Sequence, residues 1–261
     1  MTIGWWLHDA WEMVKRNLIH IRRTPELLLD VTLSPIMFVV LFNFVFGGAI
    51  AVGAEGGEEG SYTNFLMAGI FVQTVAFAGI YTGVLLANDL KNGMIDRFRS
   101  LPMAQSSVLV GRTLTDLMRA ALAVAIMWVV GMLVGFRPEG GIGGSLAAIG
   151  IMLLFGFAMS WIGVAAGALV RTPEALQGII FAAVFPLTFV SSAFVPTETM
   201  PGVMQVFADN QPMTLVVNAV RDQTLGLDLY AAELPAIAWS GILLAIFFPI
   251  GLWAYNRRTT Q

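Results

Sequence analysis

The sequence predicts an all-α membrane protein with six transmembrane helices. Of its 261 residues, 57% are hydrophobic and only 12% are charged, whereas about 25% of the residues of a typical soluble domain are charged. Six stretches contain no Lys, Arg, Asp, Glu or His and reach or approach the roughly 20 apolar residues that cross the hydrocarbon layer. Apolar and polar residues do not alternate within them, so transmembrane β-strands are a poor alternative.

The predicted spans follow one another along a single transmembrane domain, residues 1–261. They are residues 31–54, 62–87, 112–136, 142–170, 175–195 and 234–255, and in the third the charge-free part begins at residue 120. Residues 88–107 connect the second and third spans, and residues 197–233, which are too polar to cross lipid, connect the fifth and sixth.

Residues 1–30 are predicted to form an amphipathic helix at the membrane interface. Their apolar side chains recur at three- and four-residue steps, as along one face of a helix. Trp5, Trp6 and Trp11 favour the headgroup zone. A short helix that packs on a soluble partner is the alternative.

Basic residues divide unequally between the two sides of the membrane. Six spans put both termini on one side, which carries 12 of the 14 Lys and Arg residues, and the other side holds only Arg137 and Arg221. Because basic residues accumulate in cytoplasmic loops, both termini are predicted to be cytoplasmic.

The composition disfavours several classes of function. The net charge of −3 provides no basic field for nucleic acid. No cysteine is present, and His8 and His20 lie in the N-terminal segment, so neither a metal site nor a catalytic residue is predicted. The span cores hold no ionisable residue, which disfavours an ion-coupled carrier. No lysine follows the glycine cluster Gly140–Gly144, so we expect no phosphate-binding loop in this chain.

Two local patterns predict how helices begin and pack. Thr172, Pro173 and Glu174 suit the N-cap and the first turn of a helix. Glycines four residues apart, at 79 and 83, 131 and 135, and 163 and 167, permit close helix contact. Such spacings are frequent in membrane helices and do not by themselves indicate a dimer.

The connection between the second and third spans has the pattern of a docking helix. Its apolar side chains Met94, Ile95, Phe98 and Leu101 interleave with the charged Asp96, Arg97 and Arg99. A short helix with an apolar ridge and a charged rim fits a groove on another protein. The alternative is a helix that folds back on its own bundle.

Two motifs in the chain resemble a known family. The first is Gly93–Met103, followed by Leu109–Arg112 and Asp116, and the second is Pro186–Pro196, followed by Met200-Pro201, Asn210–Pro212 and Ala219–Arg221. Both are similar to segments of ABC-2 type transporter permeases, closest to the daunorubicin-resistance drug-exporter branch. The family usually has Asn directly before Pro in the second motif, whereas this chain has Gln211 between Asn210 and Pro212.

The resemblance implies a machine of several subunits in a bacterial plasma (inner) membrane. A cytoplasmic ABC ATPase, in two copies, would bind ATP and Mg²⁺ and dock on Met94–Leu101. Asp96, Arg97 and Arg99 would steer docking while Ile95, Phe98 and Leu101 fill the groove. A second permease, identical or paralogous, would complete the membrane part, and this chain would hold no cofactor. The resemblance also places short re-entrant helices within residues 197–233.

A substrate path is expected along the second and fifth spans, which line a central cavity in similar exporters. The candidates are Phe71, Gln73, Thr74 and Phe77 in the second span and Phe181, Phe185, Thr188 and Phe189 in the fifth. An aromatic face with a few polar groups suits a hydrophobic drug, antibiotic or lipid-like metabolite. Ordinary helix packing is the alternative for each residue.

Other functions remain open at this point. A polysaccharide exporter of the same family, an ATP-independent multidrug carrier and a non-transporting membrane scaffold are the alternatives. The identity of the substrate does not follow from the sequence.

Overall fold

The computed structural model describes residues 59–92, 105–226 and 232–260, together with residues 15, 33 and 36–41. Within these ranges all regular structure is helical, which confirms the all-α class. The predicted interfacial helix (1–30), most of the first span (31–54) and the docking residues Met94–Leu101 lie outside the described residues.

Seven α-helices are described. They are α1 (Glu59–Lys91), α2 (Gln105–Val134), α3 (Gly141–Leu169), α4 (Pro173–Phe189), α5 (Gly202–Asn210), α6 (Pro212–Leu225) and α7 (Glu233–Thr260), with a 3₁₀ turn at Thr197–Thr199. Residues 93–104 join the end of α1 to the start of α2. We call the end of the bundle at which α1 ends and α2 begins the near end. The opposite end, where α1 and α7 begin, is the far end.

Four helices are long and apolar enough to cross a membrane. They are Thr63–Lys91, Leu109–Val134, Gly141–Leu169 and Glu233–Arg258, within α1, α2, α3 and α7. Helix α4 has 17 residues, which extend over about 25 Å and so fall short of the roughly 30 Å hydrocarbon layer. The four long apolar helices make the chain a multi-pass membrane protein. The count of six spans stays a prediction.

Helix α3 lies at the centre of the bundle and packs on α1, α2, α6 and α7. Its tightest contact is with α1. A Cβ atom at Gly83 would lie 2.1 Å from the carbonyl oxygen of Gly163, and one at Gly163 would lie 2.4 Å from that of Ile80. A Cβ atom at Gly167 would lie 2.3 Å from the Gly83 oxygen. The two backbones therefore touch, which confirms close helix contact at these glycines and places it within one chain.

The start of α4 follows the predicted capping pattern. The side chain of Thr172 accepts a hydrogen bond from the backbone N–H of Ala175 at 3.3 Å, Pro173 opens the helix and Glu174 lies in its first turn. Each residue satisfies or avoids one of the unpaired N–H groups of a helix start. This cap fixes the near end of α4.

Replacing Gly163 with Ala should destabilise the protein, whereas the same change at Gly150 should not. The added methyl at residue 163 would meet backbone atoms of α1 that cannot move aside, at a cost of about 1–3 kcal/mol. A Cβ atom at Gly150, also in α3, meets nothing within 4 Å, so there alanine adds helix propensity of up to about 1 kcal/mol. Thermal unfolding of the purified variants in detergent measures both, and equal unfolding temperatures would contradict the close contact.

Candidate functional site

At the near end, two ion pairs hold the segments on either side of residues 93–104. Asp89 of α1 pairs with Arg112 of α2, and the Lys91 ammonium lies 3.1 Å from a carboxylate oxygen of Glu174 in α4. A backbone hydrogen bond at the start of α4, and then Lys91, lower the pKa of Glu174 from its ordinary value. The first pair ties α1 to α2 across this connection, and the second ties the end of α1 to α4. The roles of Met94, Ile95, Asp96, Arg97, Phe98, Arg99 and Leu101 stay predictions.

A third pair lies inside α2, where sequence reasoning did not place one. Asp116 and Arg119 are both buried, with their charged atoms 3.2 Å apart. In the distribution of basic residues, Arg119 is one of the 12 on the predicted cytoplasmic side. The three-residue spacing, which brings side chains together on one helix face, is the signal that predicts the pair.

Arg258 of α7 holds the near end of α3. Its guanidinium donates to the carbonyl oxygens of Gly167 and Ala168, each at 3.2 Å, and also to those of Val170 and Arg171. These are carbonyls that the end of a helix leaves without partners, and a cation there also meets the negative end of the helix dipole. Arg258 thereby joins α7 to the turn between α3 and α4.

One face of α4 carries a row of stacked aromatic rings. The ring centroids of Phe181 and Phe185 lie 4.7 Å apart, those of Phe185 and Phe189 lie 4.6 Å apart, and Phe194 continues the row 5.2 Å beyond Phe189. Phe181 is 61% exposed and Phe189 is 43% exposed. We call Phe181, Phe185, Phe189 and Phe194 the aromatic row.

The opposite face of α4 packs on α1. Leu176, Ile180 and Val184 are buried in one cluster with α1 residues, and Phe77 packs at the edge of that cluster. The structure therefore places Phe77 beside α4, within the apolar contact between α1 and α4.

The other predicted path residues lie inside the protein. Phe71 is fully buried and stacks on Trp128 of α2 at a centroid distance of 5.2 Å. Gln73 is also buried. The hydroxyls of Thr74 and Thr188 donate to carbonyls of their own helices, those of Ile70 at 2.8 Å and Val184 at 2.9 Å. Of the predicted set, the structure thus brings together Phe181, Phe185 and Phe189, and the contribution of all these residues to a path stays a prediction.

At the far end, the residues after α4 form a buried turn. Residues 191–194, which we call the buried turn, are all shielded from solvent. The carbonyl of Ala193 lies so close to α1 that a Cβ atom at Gly69 would be 2.0 Å from it. Ser192 binds α6 twice, because its N–H donates to the Thr214 hydroxyl at 3.2 Å and its own hydroxyl donates to Asn218 Oδ1 at 2.8 Å.

Gln211, the residue by which this chain departs from the family motif, caps the end of α4. Its side-chain amide is buried and donates to the carbonyl of Leu187 at 3.0 Å and to that of Val190. Pro212 then begins α6. The added residue therefore satisfies carbonyls that the end of α4 leaves open, and the sequence alone did not predict this.

The glycine cluster before α3 packs on the end of α6. The N–H groups of Glu139 and Gly140 donate to the Thr224 carbonyl at 2.8 and 3.0 Å. A Cβ atom at Gly140 would lie 1.9 Å from the carbonyl oxygen of Gln223, and one at Gly144 would lie 2.3 Å from it. These glycines allow a close helix approach.

Comparisons with known proteins agree with this architecture. The profile of the ABC-2 type transporter family matches residues 8–225. The chain belongs to the ABC-2 type transporter family. An ABC-2 permease is the membrane subunit of an ABC exporter, so the resemblance noted in the sequence is confirmed.

Several similar proteins are named as permeases of drug resistance. The chain is 35% identical over 246 residues to the daunorubicin resistance ABC transporter permease protein DrrB1 of Streptomyces coeruleorubidus, covering 94% of this chain and 85% of that protein. It is 25% identical over 233 residues to the "Probable doxorubicin resistance ABC transporter permease protein DrrC" of Mycobacterium tuberculosis, covering 87% and 80%. These ABC-2 permeases match nearly the whole chain.

Replacing Arg258 with Gln should destabilise the near end of this ABC-2 permease. The variant loses charge-assisted hydrogen bonds to the end of α3, worth about 1–2 kcal/mol in total at a partly exposed site. Arg257→Gln is the matched control, because Arg257 lies over the Trp253 ring at 5.4 Å, a contact of at most about 1 kcal/mol. Thermal unfolding of both variants tests this, and a larger effect at residue 257 would refute the capping role.

Proposed function

We propose that this permease exports a hydrophobic drug, antibiotic or lipid-like metabolite across a bacterial plasma (inner) membrane. The energy comes from ATP hydrolysed by a separate ABC ATPase, which binds the ATP and Mg²⁺. Two ATPase copies and a second permease, identical or paralogous, complete the transporter. The relatives named for daunorubicin and doxorubicin resistance support this substrate class.

The aromatic row on α4 is the observation that carries the substrate class. The ring centroids on α4 lie 4.6 to 4.7 Å apart, with Phe181 stacked on Phe185 and Phe189 tilted against it, and Phe181 and Phe189 are exposed. Ring faces bind flat, apolar, polycyclic molecules by stacking and by area burial. Few polar groups accompany the row, which favours such molecules over the carbohydrate of a polysaccharide exporter.

Coupling to the ATPase uses the connection at the near end. In this proposal Ile95, Phe98 and Leu101 enter a groove of the ATPase while Asp96, Arg97 and Arg99 orient it. The Lys91–Glu174 contact and the apolar seam between α1 and α4 support a transfer of motion from this connection to the aromatic row. The near end is then cytoplasmic, as the distribution of basic residues indicates.

The segment between the fifth and sixth predicted spans lies at the outer surface in this proposal. It holds the two short helices α5 and α6. Helix α5 exposes the apolar side chains of Val203, Val206 and Phe207, which suit the acyl boundary of the outer leaflet better than water. These features support the placement of α5 and α6 as re-entrant helices.

Reconstitution tests the function directly. The permease in proteoliposomes, with and without the ABC ATPase that co-purifies with it, is assayed for daunorubicin transport driven by ATP or by a proton gradient. We expect transport only with both ATPase and ATP. Transport by the permease alone on a proton gradient would overturn the proposal in favour of an ion-driven carrier, and no daunorubicin stimulation of the ATPase would favour a scaffold.

Phe98→Asp should uncouple the permease from its ATPase. A carboxylate in the apolar groove would be desolvated without a partner, so the ATPase dissociates and export stops while the permease stays in the membrane. Phe98→Leu is the matched control, since it keeps an apolar group at this position. Co-purification of the ATPase and daunorubicin export measure both effects. Normal association and export by the aspartate variant would refute the docking role.

Phe185→Ala should weaken daunorubicin handling because it removes the central ring of the aromatic row. Loss of one stacking contact between a phenylalanine ring and the drug costs about 0.5–1.5 kcal/mol. The half-saturating drug concentration for ATPase stimulation should therefore rise roughly 2–10-fold. Phe207→Ala, which removes an exposed phenylalanine from α5, is the control. An unchanged drug response in the residue 185 variant would exclude the row from the path.

A further inference from the structure

Arg221 of α6 joins three separate segments at the far end. Its guanidinium donates to the carbonyl of Ser192 in the buried turn at 2.9 Å, to the carbonyl of Phe65 in α1 at 3.3 Å and to Asn218 Oδ1 in its own helix at 3.0 Å. The guanidinium carbon also lies 3.7 Å from the centre of the Phe65 ring. One side chain thus holds the buried turn, α1 and α6 together.

Asn218 extends this contact into a small network. Its Oδ1 accepts from both Arg221 and the Ser192 hydroxyl. Ser192 therefore meets α6 through its N–H, its hydroxyl and its carbonyl, the last by way of Arg221. Ser192 of the buried turn is therefore positioned by α6, while Ala193 packs on α1 at Gly69 and Phe194 lies against Phe189 of α4.

The hydrogen-bond partners of Arg221 are neutral oxygen atoms, which water molecules can replace. Among the described residues no carboxylate lies within salt-bridge distance of it, and its Nε has no hydrogen-bond partner. Burial lowers the pKa of Arg221 to about 10, with the charge of Asp222 acting in the opposite direction, so the side chain stays cationic at neutral pH. A buried cation held by neutral groups regains hydration when its site opens. Opening therefore separates no ion pair.

The buried turn also ends the aromatic row. Phe194 is part of the turn, is buried and lies against Phe189. A molecule that moves along α4 from the near end meets the buried turn at the far end, where Arg221 holds the turn against α1.

We propose that Arg221 is the positioning residue that closes the outer end of the export path by holding the buried turn against α1, and that export requires this contact to release. The proposal rests on the proposed function for the direction of transport and for the role of the aromatic row. The hydrogen bonds of Arg221 to the buried turn and to α1 are observed in the fold and do not depend on that function.

A cross-link tests whether the turn has to move. The chain contains no cysteine, so Ser192→Cys with Asn218→Cys introduces a single reactive pair, at side chains whose oxygens lie 2.8 Å apart. A bis-methanethiosulfonate reagent with a one-carbon spacer joins the two thiols, and dithiothreitol releases them. The full transporter, permease with ATPase in proteoliposomes, is assayed for ATP-driven daunorubicin export before cross-linking, after it and after reduction.

We expect the cross-linked permease to lose export and the reduced permease to regain it. Each single-cysteine variant is the control, and the reagent should not change its export relative to the same variant before treatment. Export by the cross-linked protein at the rate of the reduced protein would overturn the proposal, because the turn would then be static. Absence of ATP-driven export by the cysteine-free parent would instead refute the proposed function, so the two failures are distinguishable.

Substitution of Arg221 tests the closing role. Arg221→Gln removes the cation, so the outer end stays unlatched and daunorubicin exported per ATP hydrolysed should fall roughly tenfold, while ATPase activity continues. Arg221→Lys keeps the charge but has a single donor group, and should recover part of the ratio. Arg137→Gln is the control, since the Arg137 guanidinium bonds only to carbonyls of nearby residues, Met132 and Phe136.

A purely structural role predicts a different result. The amount of each variant in the membrane would then fall, and the ratio of export to ATP hydrolysis in the remaining protein would be unchanged. That outcome would overturn the closing role. Where Arg221→Gln does not reach the membrane, the cross-linked pair decides the question, because its export is compared in one and the same protein before cross-linking, after it and after reduction.

Discussion

The backbone contact between α1 and α3 is the constraint on which the rest of the structure depends. Glycines on both helices bring the Gly83 and Gly163 backbones together, and α3 in turn packs on α2, α6 and α7. In lipid no hydrophobic force drives helices together, so close packing of small residues is a main source of their association. Both ends of the permease are built on this pair, because α1 carries Asp89 and Lys91 at the near end and Phe65 and Gly69 at the far end.

Helix α4 is the element that links the two ends to the aromatic row. It packs mainly on α1, and its ends are held by specific contacts: the Thr172 cap and Glu174–Lys91 at the near end, and Gln211 and the buried turn at the far end. Among the described helices α4 has few neighbours and defined contacts at its ends, so few of these packed side chains have to rearrange when it shifts as a unit. This arrangement is the physical basis on which we propose to relate docking at one end to release at the other.

Much of the local structure follows from short-range patterns. The Thr172–Glu174 cap, the close contact at Gly83 and Gly163, and the alignment of Phe181, Phe185 and Phe189 each depend on spacing along a single helix. Spacing also predicts the Asp116–Arg119 pair, although the charge count used Arg119 only as a basic residue on the cytoplasmic side. The position of Phe71 was less accessible, because an aromatic residue of a membrane helix has the same pattern whether it lines a cavity or, as here, stacks on Trp128.

Composition and the hydrophobic length of each span by themselves determined that this chain is an all-α membrane protein, and the resemblance of its two motifs indicated the ABC-2 type, because all of these are properties of contiguous residues. Only the tertiary structure decided what Arg221, Gln211 and Ser192 bind. The partners of Arg221 and Gln211 include the backbone carbonyls of Phe65, Leu187, Val190 and Ser192, all more than 20 positions away along the chain. Every residue carries such groups, so no pattern of side chains reveals which of them a folded helix end will present.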